Sequence, residues 1–97
     1  MKKVMDGKIV EVTDDNQIAE RVSHRGHSND PIGWESIHLV DGVYYLCTTG
    51  GHDIFSPEDN MEKIGNKEAL IGFVSCLNEY GENKWAMDTD IIEHLEA

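Results

Sequence analysis

Between Gly26 and Glu62 the chain has no lysine or arginine, yet seven of its nineteen acids lie there. Bases are scarce throughout, eight among 97 residues, and the net charge is −11. That deficit excludes binding along the outside of nucleic acid or at an anionic membrane, since both repel such a protein at long range. Long apolar runs are missing too, so no segment reads as a bilayer-spanning helix. The opening Met1 to Asp6, despite Lys2 and Lys3, is interrupted by Asp6, Lys8 and Glu11 before an apolar stretch of signal-peptide length accumulates. Cysteine is limited to Cys47 and Cys76, without CxxC spacing. This excludes a disulfide framework and predicts reduced thiols packed as small hydrophobes in a cytoplasmic protein. No repeat or low-complexity stretch divides the chain, which reads as one compact domain over residues 1–97.

The acidity is segregated. Residues 1–25 and 63–84 balance their acids and bases, while 26–62 and 85–97 carry seven and four unopposed acids. A basic protein partner suits such a surface, and a solvated face that merely keeps the protein soluble is the competing explanation.

Two Asp-Gly dipeptides, Asp6-Gly7 and Asp41-Gly42, lie between strand-forming runs. They predict two-residue hairpins, because a type I′ turn needs positive φ at both central residues. In the first, Val4 faces Ile9 and Lys2 faces Glu11. In the second, Val40 faces Val43, Leu39 faces Tyr44, His38 faces Tyr45, Ile37 faces Leu46 and Ser36 faces Cys47. Alternation then puts Ile37, Leu39, Tyr44 and Leu46 on one buried face. Trp34, Ser36, His38, Val40, Val43, Tyr45 and Cys47 form a mixed face that suits either a second packed layer or a recognition surface. Residues 17–24 fit a strand or a short helix, and residues 25–33 and 49–53 read as loops. From Ser56 the pattern turns helical, with Ser56 as N-cap, Pro57 next, Glu58 and Asp59 in the first turn and Gly65 as the stop. Asn66 caps a longer helix with a Leu70, Phe73, Val74, Leu77 stripe, closed by Gly81, and a final helix covers Thr89 to Glu96 with Trp85 pinning it. The order predicts an α+β fold: an antiparallel β-meander of about three to five strands with two or three C-terminal helices on one face.

Several residue sets could carry chemistry. His24, His27, His52 and Asp53 could form an open zinc site in a small metal-binding or hydrolytic domain, but no HExxH or cysteine ligand pattern accompanies them. Cys47 with His38 or His52 as base would need an electropositive setting, which this acidic stretch denies it, so no catalytic residue is assigned. Gly50-Gly51 lacks the spacing of a phosphate loop, and no cofactor is expected. The set that remains is acidic and aromatic: Trp34, Glu35, Asp41, Tyr45, Asp53, Glu58 and Asp59. Carboxylates can stand where a nucleic acid would present phosphates, and aromatic anchors supply desolvated contact energy.

The segment Lys63-Ile64-Gly65-Asn66-Lys67-Glu68-Ala69-Leu70, followed by Phe73, Leu77, Trp85 and Ile92-Glu93-His94-Leu95-Glu96-Ala97, resembles the helical ending of small acidic bacterial proteins among toxin-immunity and uncharacterised families. The resemblance spans about a third of the chain and rests on packing residues. It shifts weight from an enzyme toward a non-catalytic binding protein; the segregated acidity and the absence of a coherent catalytic set then point to a non-enzymatic inhibitor or immunity-type protein occupying a basic site on a partner, a nuclease or other nucleic-acid-handling protein being the class that phosphate mimicry fits. A homo-oligomer paired through the mixed hairpin face is the third reading.

Overall fold

A computed structural model describes residues 1–24, 31–50, 59–77 and 79–97. The order is β1 (Lys2–Met5), β2 (Lys8–Glu11), a 3-10 turn (Asp14–Asn16), β3 (Gln17–His24), β4 (Pro31–Val40), β5 (Val43–Gly50), β6 (Asn60–Gly65), α1 (Lys67–Ser75), a second 3-10 turn (Lys84–Met87) and α2 (Thr89–Glu96). Strands β1 and β2 make a two-stranded ribbon; β3 to β6 make a four-stranded antiparallel meander in chain order. The fold is therefore α+β, with its two C-terminal α-helices packed on the sheet.

Both Asp-Gly turns form as the dipeptides require. Asp6 and Gly7 have φ of 53° and 76°, Asp41 and Gly42 of 51° and 80°. The expected registers follow, Val4 opposite Ile9 and Ser36 opposite Cys47 among them. One sheet face carries Ala19, Ile37 and Tyr44, buried against Leu70, Val74, Trp85 and Ile91 from the helical layer, with Leu39 and Leu46 at the margin. The Tyr44 hydroxyl is hydrogen-bonded to Nε2 of His94, so the last turn of α2 is tied to β5 by a polar bond as well as by packing.

The opposite face is covered as well, but only in part. The β1–β2 ribbon lays Val10 on it and the chain continues with Val12; together with Tyr45, Cys47 and Met61 they form a second core. The Lys3 ammonium donates to the Met61 carbonyl at 3.1 Å, and the Lys63 ammonium to the Asp6 carboxylate at 2.9 Å, fastening the ribbon over β6. That ammonium holds the Asp6 carboxyl below its usual range.

Four expectations are corrected. Asn60–Gly65 is a strand rather than the end of a helix begun at Ser56. The far edge of β5 offers a ladder to be completed, and Met61, opposite Cys47, fills the second core while Ile64 turns to the first. This is two-residue alternation, and it overrides the local cap signals; Ser56 to Glu58 lie outside the described residues. Pro31 to Gly33, and Thr49 with Gly50, belong to β4 and β5 instead of loops, because Gly33 pairs with Gly50. Helix α1 ends at Ser75, not near Tyr80, and Leu77 is exposed. Its stop is remote in sequence: the Asn83 amide donates to the carbonyls of Phe73 (2.9 Å) and Cys76 (2.8 Å), satisfying groups that a longer helix would have used itself. Cys76, just past that end, is exposed instead of packed.

Candidate protein-binding surface

Trp34 sits near the start of β4, opposite Val22 on β3 and Thr49 on β5. It is 41% exposed and Val22 42%. Both lie on the ribbon-covered side of the sheet, but the core beneath the ribbon takes its buried sheet residues from β5 and β6, with Val40 at the far end of β4 packed against it, leaving this pair to solvent. Glu35, next along β4, points to the helical side opposite Arg21. There it lines an open cleft of about 550 Å³ with Arg21, Phe73, Leu77, Lys84 and Trp85. Arg21 is committed within that cleft: its guanidinium stands 5.5 Å from the Trp85 ring centroid, and Nη1 donates to the Lys84 carbonyl at 3.0 Å.

Asp59 lies at the same sheet end as Trp34. Its Oδ1 accepts from the Gly50 amide at 2.8 Å, so Gly50 is strand backbone bonded to an acid, the opposite of a phosphate cradle. Asp59 also lines a hollow of about 490 Å³ beside Lys2 and Lys3, which temper its field. Asp41 is exposed at the β4–β5 turn, seven residues up the strand from Trp34 and therefore roughly 23 Å away. Tyr45 is buried under the ribbon and supports the second core, so its ring is no surface anchor. Asp53 and Glu58 lie outside the described residues. Trp34, Glu35 and Asp59 are thus gathered at one end of the sheet, and Asp41 is not.

A buried polar chain runs through His38, a residue that composition and spacing mark as part of the mixed hairpin face. His38 is 4% exposed; its Nδ1 lies 2.8 Å from Asn16 Oδ1 and its Nε2 2.8 Å from Ser36 Oγ. The Asn16 amide nitrogen donates to the Glu11 carbonyl, and Oδ1 accepts from the Thr13 amide, which fixes Oδ1 as an acceptor. Nδ1 therefore carries the proton and Nε2 accepts from the Ser36 hydroxyl. Ser36 and His38 share one strand face, a signal present in the sequence; Asn16, 22 residues from His38, had none.

This chain lies in a polar pocket of about 170 Å³ that Cys47 also lines. Burial pushes the Cys47 thiol up to about 11, so it stays protonated near neutrality and His38 is engaged with Ser36 rather than with it. Burial likewise pushes the His38 imidazole below its ordinary value. A lowered histidine pKa means the unfolded chain binds the proton first, so this contribution to stability is intact above about pH 6.5 and declines as pH falls below it toward the folded pKa. Wild-type protein should lose more urea resistance between about pH 7.5 and 5 than a His38→Gln variant does. Equal losses would exclude His38 as the sensitive group.

Among the described residues no three metal-binding side chains converge. His24 ends β3, while His27, His52 and Asp53 lie outside the described residues. No helix among the described residues is long and apolar enough to cross a membrane. No family model matches the chain, and neither a curated protein nor a solved structure matches it.

Proposed function

We propose that the protein is a non-catalytic inhibitor or immunity-type binding protein that occupies a basic site on a protein partner. The observation that carries the reading is the location of the base-free stretch. Residues 26–62 contain all of β4 and β5 and the first half of β6, and within them the exposed Trp34 shares a sheet end with Glu35 and Asp59. An exposed aromatic ring at the same sheet end as two acids supplies contact energy that exposed charge alone does not, while the charge steers a basic partner toward that end. A nuclease or other nucleic-acid-handling protein is the partner class for which carboxylates would substitute for phosphates.

The test is capture of a partner from the native host, identification by mass spectrometry, and measurement of affinity with purified components. Binding should weaken at least tenfold between about 50 and 500 mM salt, and Trp34→Ala should weaken it about thirtyfold. Added DNA should compete where the partner handles nucleic acid. Affinity indifferent to salt, to Trp34→Ala and to joint neutralisation of Glu35, Asp41 and Asp59 would overturn the proposal.

A further inference from the structure

Strand β3 is an end strand. It pairs with β4 on one side, and among the described residues no strand pairs with its other side. Free sheet edges are templates for added strands, and proteins that do not use them blunt them with charge, bulges or covering segments. Here the register is irregular only at the two ends, between Gln17 and Ala19 and between Ser23 and His24, leaving a regular run from Ala19 to Ser23.

The two faces of that run differ. On the helical side Ala19 is buried and Arg21 is occupied with Trp85 and the Lys84 carbonyl. On the ribbon side Glu20 and Val22 are exposed at strand spacing, and Trp34 extends the apolar surface of Val22 onto β4. The edge therefore offers an acid followed, two residues on, by an apolar pair. A strand laid along it would meet these groups with alternate residues of its own, one basic and one apolar.

We propose that the outer edge of β3 receives an extended basic segment of a protein partner as an additional strand, with an apolar side chain on Val22 and Trp34 and a lysine or arginine opposite Glu20. Main-chain hydrogen bonds would supply affinity and the acid–apolar spacing would supply selectivity. This rests on the reading of the protein as a binder of basic partners and locates the contact. A second copy of the chain fits less well: antiparallel self-pairing centred on Glu20 or on Arg21 sets like charges directly opposite each other, and each copy brings −11.

The probe is an end-capped eight-residue peptide in which lysine and valine alternate on one face and threonine fills the other. Titrated into the isotope-labelled full chain, it should shift the amides of residues 18–23 and the Trp34 indole, saturably. Two further peptides carry N-methyl groups at odd or at even positions; one of the pair should bind at least about tenfold more weakly, because it cannot complete the ladder. Glu20→Lys should weaken binding about fivefold or more, and Val22→Thr should weaken it without unfolding an exposed position. Shifts elsewhere on the acidic surface with no effect of N-methylation would overturn the edge site while leaving a salt-sensitive complex with a captured partner intact. Shifts at β3 that depend on protein concentration without peptide would overturn it in favour of self-association. No binding at all would also overturn it, and loss of salt sensitivity in the captured complex would separately remove the reading beneath it.

Discussion

Replacing Trp85 by alanine should cost about 3–5 kcal/mol of folding stability, and replacing Trp34 should cost less than about half as much. The two indoles stand in opposite circumstances. Trp85 is 5% exposed and packed with Ala19, Ile37, Tyr44, Leu70, Val74 and Ile91, which come from the sheet and from both helices. Its backbone amide donates to Asn83 Oδ1, the same residue whose amide closes the end of α1, and its ring carries the Arg21 guanidinium. Removing it leaves a cavity between three strands and two helices, which the surroundings cannot collapse into without moving a helix. Trp34 loses only the contacts of a side chain already 41% in water. Domains of this size have total stabilities of about 5–15 kcal/mol, so Trp85→Ala consumes much of the reserve. Urea titration should show the midpoint falling strongly for Trp85→Ala and weakly for Trp34→Ala, with slopes unchanged. Equal midpoints for the two variants would mean that Trp34 is a core residue.

The elements legible in the sequence are those whose determinants are local. Asp41-Gly42 fixes its turn by backbone sterics alone, and the turn fixes the register of every pair from Val40 and Val43 outward. Asn66 and Asp88 cap their helices within three residues, and the Thr89–Glu96 helix is legible from the Ile91, Ile92 and Leu95 it presents. The β6 strand was not, because what makes it a strand is the open side of β5. The end of α1 was missed since its carbonyl partners come from Asn83. For the candidate surface, Tyr45 and Trp34 lie on one face of the same hairpin and look equivalent in sequence. Only the placement of a ribbon from the other end of the chain, which covers one and spares the other, tells them apart. The separation of Asp41 from Trp34, by contrast, was implicit in the hairpin register, since a turn tip and a strand start are opposite ends of one element.

Met61→Ala should cost about 2–5 kcal/mol and should loosen the ribbon before the meander. Met61 is 1% exposed and sits among Val10, Val12, Tyr45 and Cys47, so its side chain is the contact through which β6 holds the ribbon. The Lys3–Met61 carbonyl bond survives the substitution, as does the Lys63–Asp6 pair, but both are at the ribbon's margin and the second is solvent-exposed. A two-stranded ribbon is at best marginally stable alone, so β1 and β2 depend on docking for their own order. Native-state hydrogen exchange should therefore show amides of Lys2–Met5 and Lys8–Glu11 losing protection at lower free energy than those of β4 and β5. Threonine at Val4 or Ile9, 70% and 74% exposed on the ribbon's outer side, should leave that order of opening unchanged. Uniform loss of protection across ribbon and sheet in Met61→Ala would mean that the two cores open as one unit. Staged loss would mean that the covered half of this sheet face depends on a separable element, and that Tyr45 and Cys47 would join Val22 and Trp34 in water whenever the ribbon lifts.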